Sequence, residues 1–417
     1  MRILFTNIFF LSFSFNFIAF AEAKEIKDTS TANKLNEVVI SATKLKESKQ
    51  NIIQQISSIK SKNIEKSNAQ TTASLIENQG NAFVQRSQAG GGSIILRGFE
   101  ASRVVMMIDG VRMNNLIYRA GHLQNIITID NSILDRVEIL DGSSSTMYGS
   151  DALGGVISMF TRKSLLQTDS NILIKGNAFF RYGLANNELT GHAEINIGIK
   201  KFASLTAVTY SKFGDLRMGS AQNPFYKKFG ERTFYADRID GKDTLITNNN
   251  PLLQKRSGYS QYDILQKFLI KQNDFLQHQI NVQFSNSTNV PRYDRLTDPK
   301  GSGLNSAEWY YGPQTRLLTA YDINYNNPNA LFNSIHANIS YQYIVESRHN
   351  RSFGKDNLSN RIEHVHAVGY SLDIVKQIKT DKIIFGVDGQ YSMVISKANK
   401  VDIITGEQSP LDTRYPN

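Results

Sequence analysis

The sequence predicts a small α+β domain followed by a transmembrane antiparallel β-barrel. Three observations carry that expectation. An apolar leader, Ile3 to Phe20, follows Met1-Arg2 and ends in Ala21-Glu22-Ala23, the pattern of a cleaved signal peptide. No other stretch approaches the ~20 apolar residues of a spanning helix, so any membrane passage must be made by strands. From about residue 172 the chain breaks into long segments of alternating polarity, joined by links that alternate between short and long.

Composition narrows the class further. The 417 residues carry a formal net charge of +10 and no cysteine. Thiolate metal sites, cysteine nucleophiles and disulfides are therefore excluded. The basic balance would suit nucleic acid or an anionic surface, but the leader implies export, which argues against nucleic acid. Residues 1–23 are read as the signal peptide and 24–49 as a flexible arm. Within the arm Leu35 to Lys44, LNEVVISATK, is β-prone, with Val38, Val39 and Ile40 extended.

Residues 50–163 read as a compact domain. Ile52, Ile53, Ile56 and Ile59 punctuate its start. Thr71 is an N-cap for a short helix through Asn78, and Gly80 stops it. SIILRG at 93–98, VVMMIDGV at 104–111, DRVEIL at 135–140 and VISMFT at 156–161 read as strands, with Asp109-Gly110 supplying turn chemistry. DGSSSTMYGSDALGG reads as a flexible connection; it has neither the Lys-Ser/Thr of a P-loop nor GxGxxG. No GxSxG or HExxH motif is present, so an enzyme is not expected.

Residues 164–417 carry the barrel pattern. In LQHQINVQFSN, Leu276, Ile280, Val282 and Phe284 oppose Gln277, Gln279, Asn281, Gln283 and Ser285. In KIIFGVDGQYSMVIS, Ile383, Phe385, Val387, Tyr391, Met393 and Ile395 share one face. About nine such strands are read, near 172–183, 188–199, 202–213, 259–272, 275–287, 316–326, 331–345, 364–377 and 382–397. The links 214–258, 288–315 and 346–363 are long, whereas those at 200–201, 273–274, 327–329 and 380–381 are short.

RGFEASRVVMMIDGVRMN, followed by DRVEILDGSSSTMYGSDALGGVISMFT, resembles the plug domain of TonB-dependent outer-membrane receptors. The resemblance covers residues 35–163 closely and the remainder by strand pattern. Ser143, where the family usually has proline, and Asp141 are departures. The resemblance implies an α+β plug domain inside a transmembrane antiparallel β-barrel, in the bacterial outer membrane. It implies that residues 35–44, notably Leu35, Glu37, Val38, Val39 and Ile40, form the TonB box, which pairs with TonB as an added strand. TonB, with its inner-membrane energising complex, and the outer-membrane lipid are the implied partners, a surface lipoprotein a further candidate. Arg97 and Glu138 match charged positions that help hold the plug. Plugged transporters have about 22 strands, so the barrel is expected to be incomplete in this chain, as in a fragment or interrupted gene product.

The resemblance also gives YRAGHLQN, residues 118–125, a meaning. Haem receptors of the family carry a plug histidine in a similar Gly-His-Leu context, here Gly121-His122-Leu123. His122 is the candidate axial ligand to haem iron, Tyr118 a second donor, and Arg119 and Arg112 candidate partners for propionates. No intrinsic cofactor is expected; haem would be cargo. Two features weigh against haem. No Phe-Arg-Ala-Pro box is present, and Asn327-Pro328-Asn329-Ala330 falls in a short turn, but missing boxes are uninformative where the barrel is incomplete. His349, with Arg348 and Arg351, is expected in an external loop, and the other histidines on strands. The expected function is active uptake of an iron complex, haem or a haem protein first. A ferric siderophore, cobalamin or glycan is the alternative, which Trp309, Tyr310 and Tyr311 would suit as well. A passive porin or adhesin is a further alternative.

Overall fold

Strand chemistry and turn chemistry between them set the N-terminal domain. The structure, a computed structural model, describes residues 38–41, 44, 47–117, 125–169, 171–221, 223–301, 303–379 and 381–415. The predicted signal peptide and the expected box residues Leu35 and Glu37 lie outside the described residues. In chain order the domain comprises β1 (Val38–Val39), β2 (Glu47–Ser48), β3 (Ile56–Lys60), α1 (Ser61–Ser67), α2 (Thr72–Glu77), β4 (Phe83–Gln85), β5 (Ser93–Ile95), β6 (Val104–Ile108), β7 (Val111–Arg112), β8 (Leu134–Asp141), α3 (Ser145–Tyr148) and β9 (Gly155–Thr161). Its central sheet has the order β3-β8-β9-β6-β7. Only β6 and β9 pair in parallel there. Thr71 caps α2 by accepting the Ser74 N–H at 3.2 Å. Asp109 and Gly110 both take positive φ, 48° and 82°, so the β6–β7 hairpin turns where the dipeptide predicts.

Two expectations about this domain need correction. The arm is not wholly slack: β1 pairs antiparallel with β2. The glycine-rich connection is not a loose turn either. Gly142 N–H donates to Gly154 O, Ser144 N–H to Ala152 O, and α3 forms between them. The buried Tyr148 anchors the connection, because a large ring inserted at its centre removes the freedom that its serines and glycines suggest.

Nine long strands follow: β10 (Leu173–Gly183), β11 (Glu188–Gly198), β12 (Phe202–Phe213), β13 (Tyr259–Lys271), β14 (Leu276–Ser287), β15 (Thr315–Asn326), β16 (Ser334–Ser352), β17 (Asn357–Ile378) and β18 (Asp381–Asp402). Each pairs antiparallel with the next, in one sheet that is not closed. The sheet is apolar outside and polar inside. On β14, Asn281 and Gln283 are buried while Ile280 is exposed. On β18 the predicted face from Ile383 to Ile395 is exposed throughout. A water-soluble sheet would show the reverse, so this is the lipid-facing arrangement.

The expected link 346–363 is instead a turn at 353–356, because β16 and β17 run on past the apolar belt. There both faces meet water, so the alternation that marks the strands in sequence stops while the hydrogen-bond ladder continues. His349 accordingly sits on β16, not in a loop. The N-terminal domain packs against the face of the sheet opposite the exposed apolar one. Its core, including Leu75, Ile94, Met106, Val137 and Ile157, is continuous with Leu318, Ala320, Ile344 and Val365 of the wall. Full burial of each of the leucine, isoleucine, valine and methionine side chains contributes about 1.5–3 kcal/mol.

Candidate functional site

The segment Val38–Ser41 is seated by one carboxylate. Glu138, on β8, is completely buried, and its Oε2 accepts the backbone N–H of Ile40 and of Ser41, both at 2.8 Å. Its Oε1 accepts from Arg136 Nε at 2.7 Å. Tyr148 Oη donates to Ser41 O at 2.7 Å. Burial, reinforced by the charges of Glu138 and Asp373, pushes that hydroxyl's pKa up, so it remains a donor. Val39 is buried and Val38 is 53% exposed. Further ion pairs bind this region to β18: Lys44 to Asp388 at 2.8 Å and Lys382 to Glu47 at 2.6 Å. Arg97 lies elsewhere, against Gly142 and in the field of Asp141. Burial raises the Asp141 carboxyl, with Asn81 and Arg97 opposing. The structure does not bring Arg97 to Glu138; Arg136 is the ion-pair partner that sequence reasoning missed. Its position two residues from Glu138, hence on the same face of β8, was the available signal.

The plug meets the wall through a second carboxylate. Asp109 accepts from Thr161 N–H at 2.8 Å and Thr161 Oγ1 at 2.6 Å, both within the plug. Across the interface it accepts from Asn281 Nδ2 at 2.8 Å and Gln283 Nε2 at 3.1 Å, and pairs with Lys267 Nζ at 3.1 Å. Burial alone would raise this carboxyl; the Lys267 ammonium and the Thr161 hydrogen bonds outweigh it and hold the pKa below the ordinary value. Three further contacts are amide to carbonyl. Gln261 Nε2 donates to Ile127 O at 2.8 Å, Gln342 Nε2 to Arg112 O at 2.8 Å and Gln390 Nε2 to Asn114 O at 3.0 Å. Arg316, buried on β15, donates to Thr128 Oγ1 and O. Between plug and wall a cavity of about 970 Å³ is lined by Ser41, Lys44, Arg112, Asp322, His336 and Asp388, among others.

Tyr118, Arg119 and His122 lie outside the described residues. Their neighbours Ile127 and Thr128 meet β13 and β15 at Gln261 and Arg316, beside the long links. Arg112 is already engaged: its guanidinium pairs with Asp151 at 3.2 Å and donates to Tyr148 O. At the loop-bearing end, residues 306–311 add a strand to β16. The Arg292 guanidinium lies 4.7 Å from the Trp309 ring, and Tyr310 stacks on His349 at 4.7 Å. Among the described residues no group of three or more histidine, aspartate or glutamate side chains is arranged to hold a metal ion.

Comparison with known proteins now bears on this geometry. Residues 48–156 match the TonB-dependent Receptor Plug Domain family. The vitamin B12 transporter BtuB of Vibrio vulnificus is 25% identical over 345 residues, 82% of this chain and 46% of that protein. Residues 48–156 belong to that plug-domain family. Among solved structures, the copper transporter OprC superposes with a TM-score of 0.62 at 13% identity, covering 85% of this chain and 48% of that one. The haemophore receptor HasR of Serratia marcescens, solved with its haemophore HasA and haem, gives 0.59 at 15% identity, covering 84% and 46%. These two likenesses are of fold. The chain spans about half the length of the relatives it matches.

Proposed function

We propose that this protein acts in the bacterial outer membrane as a TonB-energised receptor for active uptake of a metal–tetrapyrrole, haem or a haem protein first. Residues 24–49 serve as the coupling arm, 50–163 as the plug and 164–417 as wall. One observation carries the transport reading. A short extended segment, Val38–Ser41, sits on a buried carboxylate at the base of a domain that is itself hydrogen-bonded into an inside-out sheet. A strand held mainly through its backbone can be exchanged for pairing with another chain. The chemistry asked of the protein is binding and gating, not catalysis.

The haem reading rests on Gly121-His122-Leu123 with Tyr118 and Arg119 beside it. A neutral imidazole is a good axial donor to iron. Cobalamin is the second reading, favoured by the B12-transporter relative. Both cargoes are metal-centred tetrapyrroles that accept an imidazole. Haemin is titrated into the full-length receptor in detergent, wild type and His122→Ala, with Soret absorbance as readout and cyanocobalamin as competitor. A saturable shift that weakens at least tenfold in the variant supports haem with His122 as ligand. Displacement of haemin by cyanocobalamin supports a shared site. No saturable shift in either form sinks the haem reading.

A further inference from the structure

The outer wall carries imidazoles where lipid is expected. On β16 and β17 the lumen-facing Ile344, Val365 and Ala367 are buried, so Tyr343, His364 and His366 between them face outward. Tyr341 Oη lies 2.8 Å from His366 Nδ1, and Tyr343 Oη 2.8 Å from His364 Nδ1. The rings interleave: Tyr343 is 5.0 Å from His366 and 6.1 Å from His364, centroid to centroid. With each tyrosine donating to Nδ1, the imidazole proton resides on Nε2. Among the described residues neither Nε2 has a hydrogen-bond partner. The contrasting case is His278 on β14. Its Nδ1 meets Tyr321 Oη at 2.7 Å, but its Nε2 is met by Gln272 Oε1 at 2.9 Å. An unmet N–H in hydrocarbon is costly, so the His364 and His366 donors call for an acceptor from the membrane itself.

Their height identifies which part of the lipid supplies it. His366 is in register with Met393, His364 with Ile395, and Ile362 with Lys397. The exposed apolar row of β18 ends at Ile395, and Lys397 is the next outward side chain. From Ile383 to Ile395 the strand rises about 30 Å at a tilt near 40°, against an apolar band about 25 Å tall. The two imidazoles therefore sit at headgroup level on the side of the long links, with an ammonium just above them.

We propose that Tyr341, Tyr343, His364, His366 and Lys397 bind the phosphorylated sugar headgroup of an outer-leaflet glycolipid. Two N–H donors and one cation answer the oxygens of a phosphate, and the tyrosine rings pack against the sugar. This rests on the outer-membrane reading above. The test places the full-length receptor in phosphatidylcholine nanodiscs with bisphosphorylated lipid A or its dephosphorylated form and counts retained glycolipid by native mass spectrometry. Wild type is expected to retain the phosphorylated form about tenfold over the dephosphorylated one. The His364→Phe/His366→Phe double variant and Lys397→Gln are expected to lose that preference, and His278→Phe to keep it. Heat-modifiability on gels confirms that each variant remains a folded barrel. Equal retention of the two lipids by wild type, or an undiminished preference in the double variant, overturns the proposal. Recovery of the receptor outside the outer-membrane fraction would instead overturn the localisation on which it rests, and is scored separately by fractionation.

Discussion

Replacing Glu138 with glutamine should free the N-terminal segment without ligand. The carboxylate makes two charge-assisted bonds to Ile40 and Ser41 N–H groups, each 2.8 Å. Such bonds contribute about 1.5–3 kcal/mol each, against about 0.5–1.5 for neutral ones. Glutamine keeps the volume and can still offer one oxygen to both amides, but its NH₂ then faces Arg136, donor against donor. The net loss is about 2–3 kcal/mol, which moves the docked–undocked equilibrium roughly 30- to 150-fold. The chain has no cysteine, so a Val39→Cys change introduces a single thiol. Val39 is buried when docked, and its rate of maleimide labelling follows the undocked fraction. The rate should rise by that factor in Glu138→Gln. A rate within threefold of the parent's would show that Glu138 does not hold the segment, however well formed its bonds are.

Asp109→Asn leaves Lys267 buried without its counter-charge, so the plug–wall seat should weaken by about 3–5 kcal/mol, read as a lower guanidinium midpoint for plug release. The pH dependence has a definite sign. The Asp109 carboxyl titrates below its unfolded value near 3.9, so its stabilisation is complete above that pH and is lost as the pH falls through the native value. The release midpoint should drop below about pH 4 in wild type, and Asp109→Asn should flatten that drop. Gly90 has a φ of 77°, and a Cβ there would lie 2.0 Å from Tyr259 Oη, so Gly90→Ala should also loosen the plug, seen as faster proteolysis. Asp243 pairs with the buried Arg351 at 2.7 Å and accepts the Gly354 N–H at 2.7 Å, pinning the hairpin 234–247 to the tip of β16. Asp243→Asn should expose the turn at Asp240-Gly241 to limited proteolysis while leaving barrel heat-modifiability unchanged.

The wall was legible in sequence because one physical demand repeats along it. Lipid on one side and a polar lumen on the other impose a period of two, and Leu276 to Ser285 and Ile383 to Ile395 follow it with few interruptions, His278, Ile384 and Val394 among them. The same rule fails above the membrane, where ESRHNRS and NLSNRIE remain strand although neither face is apolar. The plug strands were legible from apolar runs and from Asp109-Gly110. The seat was not. Gln261, Gln342 and Gln390 look like any lumen-facing glutamine, and their partners are backbone carbonyls, which leave no mark on the sequence. Glu138 stood out through the family resemblance, but its acceptance of Ile40 and Ser41 amides depends on a fold that brings residues about a hundred positions apart together.

The division of labour between those contacts bears on how a plug can be both tight and movable. The amide-to-carbonyl contacts are neutral, worth about 0.5–1.5 kcal/mol each, and the groups they join can turn to water when the cavity floods. The charged seat at Asp109 is different. Its partners, Lys267, Asn281 and Gln283, all belong to the wall, whereas Thr161 travels with the plug. A pull on the N-terminal segment acts first on Glu138, through Ile40 and Ser41, and Glu138 lies on β8 beside β9, which ends in Thr161. Tension along that sheet therefore arrives at a contact whose rupture strands a buried cation. The order of failure follows: the segment leaves Glu138 before the plug leaves Lys267. In single-molecule pulling from the N-terminus, Glu138→Gln should lower only the first rupture force and Asp109→Asn only a later one. A first event sensitive to Asp109 would mean that segment and plug come away as one body.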